Sequence, residues 1–186
     1  MAITTTRLRA DEYLSQADVL PRFTELIDGE VVMNTPSSRH QDLLGFIYLR
    51  LVLWTNEASG RGHAMLSLDV RLDDDHVFAP DVLWFAAAHV PRGDVPHVDA
   101  PPDVAVEVRS PSTWRFDIGA KKAAYERFGL PELWLVDTAA DTVLVFRRSS
   151  PTSPDFDVAL ELGAEETLTS PMLPGFALDV AELFDR

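Results

Sequence analysis

The stretch DVAVEVRSPSTWRFDIGAKKAAYERFGLPELWLV, residues 103–136, sets the strongest limit on what this chain can fold into. Val104 to Arg109 reads as a strand, Asp117 to Phe128 as a helix stopped by Gly129, and Leu133 to Val136 as a second strand. A helix inserted between two apolar strands requires a sheet in the core with helices packed on it. Two features disturb this apolar plan: Glu107 stands in mid-strand, and Lys121 and Lys122 stand in mid-helix.

The rest of the chain adds strands and one long helix. Thr24 to Ile27 and Val31 to Met33 flank Asp28-Gly29-Glu30, and Asp-Gly is a preferred hairpin corner. From His40 to about Glu57, Leu43, Leu44, Ile47, Leu51 and Trp54 recur at helical spacing, which predicts an amphipathic helix packed on the sheet. Met65 to Leu72 and Val77 to Phe85 read as strands joined through Asp73-Asp74-Asp75, the second interrupted by Pro80. Residues 86–102 read as a loop, Val143 to Arg147 and Val158 to Leu162 as further strands, and Asp179 as the start of a short C-terminal helix. The expectation is an α+β fold, a mixed β-sheet flanked by helices, formed by residues 1–186 as a single domain.

Composition narrows the chemistry. With no cysteine, disulfides, zinc knuckles and thiol nucleophiles are excluded, so any metal must be held by carboxylates or histidines. No apolar run is long enough to span a bilayer and the N-terminus lacks a signal-peptide core, so the expected location is cytoplasmic, with no membrane partner. Thirty acids against sixteen Lys and Arg give a net charge of −14, which opposes a basic coat for nucleic acid. Between Arg109 and Arg127, however, five bases face only Asp117 and Glu126.

On the strand, Asp103, Ala105, Glu107 and Arg109 share one face and Val104, Val106 and Val108 the other. The valines belong to the core, and Glu107 is offered to something polar, since a buried unpaired carboxylate is costly. At about 100° per residue, Ile118, Lys121, Ala124, Tyr125 and Phe128 form one helical stripe. Lys121 therefore points inward, while Lys122 sits at the edge of the stripe, four residues before Glu126, as an ordinary surface pair. Asp81, next to Pro80 on a neighbouring strand, adds a second carboxylate. Two carboxylates and a backbone carbonyl suit Mg²⁺, with the lysine assisting water or neutralising a phosphate.

Pro80-Asp81, the strand end Glu107 to Ser110 with PST after it, DIGAKKAAY (117–125) and GLPELWLVD (129–137), preceded by ELIDGEVV (25–32) and PSSRH (36–40), resemble the Uma family of restriction-type endonucleases. That family falls within the PD-(D/E)XK nuclease superfamily, and the resemblance implies a restriction-endonuclease-like sheet and Mg²⁺- or Mn²⁺-dependent hydrolysis of DNA. It implies Asp81 and Glu107 as metal acids, the Val108 carbonyl as a further ligand and Lys121 as the catalytic lysine. The superfamily lysine usually stands two residues after the Glu, where this chain has Arg109, which suits phosphate better than base catalysis. His40 and Glu30 match recurrent polar positions of the family opening, without an assigned role. DNA is the expected partner, held with modest affinity given the charge, and a homodimer is how such nucleases often cut two strands.

Plainer readings stand beside these. Glu107 could pair with Arg109 or Lys121 in a catalytically silent fold that keeps an interaction or DNA-associated role, and Lys121 could reach past the apolar stripe to solvent. Hydrolysis of a small phosphorylated molecule would call for a closed pocket. Asp117 reads as a helix N-cap or first-turn acid, and His63, His76, His89 and His97 lack metal-ligand spacing.

Overall fold

The computed structural model describes residues 7–185; residues 1–6 and 186, the ends of the expected domain, lie outside them. In chain order the elements are α1 (Ala10–Ser15), β1 (Thr24–Ile27), β2 (Glu30–Met33), α2 (Ser38–Asn56), β3 (His63–Leu66), β4 (Asp69–Arg71), β5 (Val77–Phe78), β6 (Val82–Phe85) and β7 (His97–Val98). There follow β8 (Val104–Val108), α3 (Trp114–Phe116), a π turn (Asp117–Lys121), α4 (Lys122–Arg127), β9 (Glu132–Asp137), β10 (Thr142–Arg147), β11 (Val158–Leu162), β12 (Thr167–Leu168), β13 (Leu178–Asp179) and α5 (Val180–Phe184). No helix among the described residues is long and apolar enough to cross a membrane.

The fold is mixed α+β, as the sequence predicts. A six-stranded sheet runs β11-β10-β9-β8-β6-β3, and a five-stranded one runs β2-β1-β5-β4-β7. In the larger sheet β8 and β9 are parallel, with Glu107 opposite Leu135, and the other neighbours are antiparallel. The Val104, Val106 and Val108 face packs under α2 through Leu43, Ile47, Leu51 and Trp54. Each fully buried aliphatic side chain there stabilises by about 1.5–3 kcal/mol. The opposite face, at Ala105, Leu133 and Leu135, meets Ala124 and Tyr125 of α4 together with Ile27 and Phe78 of the smaller sheet.

Two expected strands are divided between the sheets. Residues 65–72 contribute to β3 and β4, and residues 77–85 to β5 and β6. Pro80 has no N–H for a ladder, so the second run leaves one sheet there and enters the other at Val82. Ser67 N–H donates to the Asp81 carbonyl at 3.3 Å and ties the two crossings together. The expected loop also contains a strand, β7, paired parallel with β4.

The helix after β8 is a composite. Its π turn widens one turn of the helix and shifts the phase, so Ile118 leaves the inward stripe and is 48% exposed, while Lys121, Ala124 and Tyr125 stay buried. Nor does Lys122 pair with Glu126. Its ammonium lies 4.6 Å from the Phe146 ring centroid, and Glu126 accepts the Phe156 N–H.

Candidate active site

The sheet crossing and the π turn bring charged groups together. Asp81 lies immediately before β6, and because Val82 pairs with Val106 in β8, its carboxylate reaches the Val108 backbone. The Val108 N–H donates to Asp81 Oδ2 at 2.7 Å, and His40 Nε2 lies 3.0 Å from Asp81 Oδ1. His40 occupies the first turn of α2, where Ser37 caps the helix, and it is buried.

Glu107 projects from the opposite face of β8 to the valines. Its Oε1 accepts the Tyr125 hydroxyl at 2.7 Å and lies 2.8 Å from Lys121 Nζ. Lys121 Nζ is also 2.8 Å from Glu25 Oε1 and 3.4 Å from Asp117 Oδ1. Glu25 Oε1 takes the Ala79 N–H, and Asp117 is held by the Thr113 hydroxyl at 3.2 Å. Glu25, Asp81, Glu107, Asp117 and Lys121 line one cavity of about 40 Å³, with Asn34, Phe23 and Thr113 on its wall.

The electrostatics follow from one cation facing four carboxylates. Burial, reinforced by the charges of Glu25 and Asp117, pushes Asp81 up to about 7, against the opposing pull of the Val108 N–H and Lys121. Burial likewise raises Glu107 well above the carboxylate range and also raises Asp117. For Lys121 burial acts downward, but Glu107, Glu25 and Asp117 outweigh it and hold the ammonium charged. A single ammonium cannot balance four carboxylates, so protons or a further cation complete the charge.

The donors are compatible with a hard divalent cation. All the side-chain acceptors in the cavity are oxygens, the buried Asn34 Oδ1 lacks a hydrogen-bond partner, and the volume exceeds the roughly 10–15 Å³ that one water-sized occupant needs. Among the described residues, no group of three or more His, Asp or Glu is spaced to hold a metal. A Mg²⁺ site here would therefore rest on two acids, Asp81 and Glu107, completed by backbone and water oxygens. At Val108 the group bonded to Asp81 is the N–H rather than the carbonyl.

Of the residues singled out in the sequence, Asp81, Glu107, Val108 and Lys121 share the cavity, and His40 is joined to it through Asp81. Glu30 does not join them, because it lies exposed on β2 opposite Ile27. Arg109 is engaged elsewhere: its Nη1 lies 2.7 Å from Asp137 Oδ1 and its guanidinium covers the Trp114 ring. Most of the locally basic stretch is likewise engaged within the fold. Lys121 is buried, Arg109 and Arg127 pair with Asp137 and Asp73, and Lys122 and Arg115 lie over aromatic rings.

Three members escaped the sequence reading. Asp117 is the first-turn acid of the π turn rather than its N-cap, and it is also a buried partner of Lys121, a relation carried by their i,i+4 spacing. Tyr125 falls on the inward helical stripe. Glu25 gave no signal beyond being an acid in an apolar hairpin strand.

The mixed sheet that gathers these acids and the helix lysine has the fold of a solved protein described as a putative nuclease. The chain belongs to the family described as "Uma2: Putative restriction endonuclease", whose model matches residues 10–181. It is similar over 95% of its length to a crystal structure of a "putative nuclease belonging to DUF820" from Anabaena variabilis. The two share 20% identity with a TM-score of 0.78, and the match covers 97% of that chain. No curated protein matches this chain.

Proposed function

We propose that the chain is a single nuclease-like domain and a Mg²⁺- or Mn²⁺-dependent endonuclease that hydrolyses DNA phosphodiester bonds. The observation that carries this is the charge imbalance: three buried carboxylates, Glu25, Glu107 and Asp117, contact one buried ammonium, and a fourth, Asp81, shares their cavity of about 40 Å³. Asp81 and Glu107 would hold the metal, which supplies Lewis acidity toward the scissile phosphate and a more acidic bound water. Glu25 and Asp117 hold the Lys121 ammonium charged and fixed, so that it can neutralise charge building on the phosphoryl oxygens. Tyr125 fixes the Glu107 carboxyl, and the Val108 N–H and His40 fix that of Asp81. Family membership supports DNA as the substrate.

A second reading keeps the fold without turnover. The observation favouring it is the direct Glu107–Lys121 ion pair, 2.8 Å long and fully buried, in which the ammonium already occupies the Glu107 carboxylate. Calorimetry with Mg²⁺ or Mn²⁺ and cleavage of plasmid DNA separate the two. The nuclease reading expects saturable metal binding, and cutting that is lost in Glu107→Gln and Lys121→Ala. Absence of both binding and cutting by the folded wild-type chain assigns it to the silent reading.

A further inference from the structure

At the other end of β8 the residues build a second, larger cavity. Asp103 precedes the strand and Glu107 follows four residues later, so the two ends stand about 13 Å apart along it. This cavity measures about 650 Å³, within the range of roughly 300–1,000 Å³ that small-molecule sites occupy. Its lining is mostly apolar, with Phe85, Val95 and Val98 among the contributors, and Pro91, Pro101, Pro102 and Pro131 stiffen the wall. A wall fixed in this way loses little entropy when a ligand arrives.

Five polar residues share this otherwise apolar lining, His89, Arg92, His97, Asp99 and Asp103. Asp103 is buried, accepts the Ala86 N–H at 2.7 Å, and lies 2.8 Å from His89 Nδ1. The His89 ring is thus oriented by a carboxylate that is itself anchored to the backbone. Its Nε2 bonds to no described residue, and the ring is 64% exposed. Arg92 also lines the cavity and pairs with no described acid, although acids outnumber Lys and Arg by thirty to sixteen. His97, the remaining base on the lining, lies 3.7 Å from Asp99.

We propose that this cavity is a binding site for a small organic anion with an apolar, ring-sized body, held by Arg92 and by the His89 ring that Asp103 orients. The apolar lining takes the body, Arg92 takes the phosphate or carboxylate, and His89 Nε2 supplies a directional hydrogen bond. Such convergence of a few polar groups on a stiff apolar hollow is the general form of a small-ligand site. The site stands apart from the Glu107 cavity and does not depend on the nuclease reading.

Calorimetry on the full chain tests it with phenyl phosphate, with inorganic phosphate and benzyl alcohol as the anion-only and body-only probes. Phenyl phosphate should bind one to one and more tightly than either fragment. Arg92→Ala and His89→Ala should each weaken it by about 10-fold or more, as loss of a charge-assisted contact implies. Arg92 is exposed, so its variant should unfold at the wild-type urea midpoint. Glu107→Gln should bind phenyl phosphate like the wild type, which assigns the ligand to this cavity. Absence of saturable binding, binding undiminished in both Arg92→Ala and His89→Ala, or loss in Glu107→Gln alone overturns the proposal.

Discussion

Two buried carboxylate networks lie on opposite faces of the β8–β9 strand pair. On the α2 side, Glu132 accepts the Trp134 Nε1–H and the Ser170 hydroxyl, each at 2.7 Å, so both its oxygens are satisfied by neutral donors. On the other side, Glu25, Asp81, Glu107 and Asp117 crowd around Lys121 and are left with excess negative charge. Burial raises the pKa of Glu132 and Glu107 alike, so burial does not distinguish them. What differs is closure: one network is complete by itself, and the other is complete only with protons or a cation. Charge balance, more than burial, separates a structural acid from a candidate functional one.

The largest effect should come from removing the ammonium that Glu25, Glu107 and Asp117 share. Lys121→Ala leaves Glu25, Glu107 and Asp117 without the ammonium they contact and should destabilise the fold by about 3–5 kcal/mol in urea titrations. Glu107→Gln removes one surplus charge and keeps an oxygen for the Tyr125 hydroxyl, so its stability should stay within about 1 kcal/mol of wild type. Under the nuclease reading its cutting should nonetheless fall by about 100-fold or more. Equal stability losses in the two variants would break the contrast between the networks.

Metal binding should sharpen it next. Asp81 holds its proton up to about pH 7, and a divalent cation needs the carboxylate. Below pH 7 the apparent Mg²⁺ affinity should therefore rise by about tenfold or more per pH unit, with proton uptake by the buffer, because Asp81 and the likewise raised Glu107 must both give up protons. An affinity independent of pH between 6 and 8 would remove Asp81 from the ligand set.

Glu132 should respond in stability alone. Its folded pKa lies above the unfolded value, so its contribution is fully present below about pH 4.5 and is lost as pH rises through the folded pKa. Glu132→Gln cannot ionise, and the stability difference between wild type and variant should shrink over that window while cutting is unchanged. Unfolding midpoints measured from pH 4 to 8 give the trend, and a parallel offset at every pH would contradict it.

The sequence made the central strand, the inward lysine and the apolar packing of α2 legible because each follows from local period. It could not show that Pro80 separates two sheets, since a strand run looks the same whichever sheet its halves enter. Glu25 stayed hidden for a related reason. Its partner Lys121 is 96 residues away, and nothing in the strand TELI distinguishes a buried acid from a solvated one. The cationic stretch after β8 misled in the other direction, because residue counts do not reveal which charges are already paired within the fold.

The smallest expected effect concerns Arg109, which occupies the place where the superfamily pattern would put its lysine. In the fold its guanidinium is engaged by Asp137 and by the Trp114 ring, at a partly exposed position. Arg109→Lys gives up the contact stacked on the Trp114 ring and should cost about 0.5–1 kcal/mol, with cutting within about twofold of wild type. The sharper experiment adds Arg109→Lys to Lys121→Gln, which puts an amine at residue 109 in place of the one on the helix, at the same charge as Lys121→Gln alone. If Lys121 supplies the working ammonium through its contacts with Glu25, Glu107 and Asp117, the double variant stays inactive. A strand lysine that restored cutting would mean that only the amine near Glu107 matters, and that the surrounding acids fix the fold around Lys121 without tuning its chemistry.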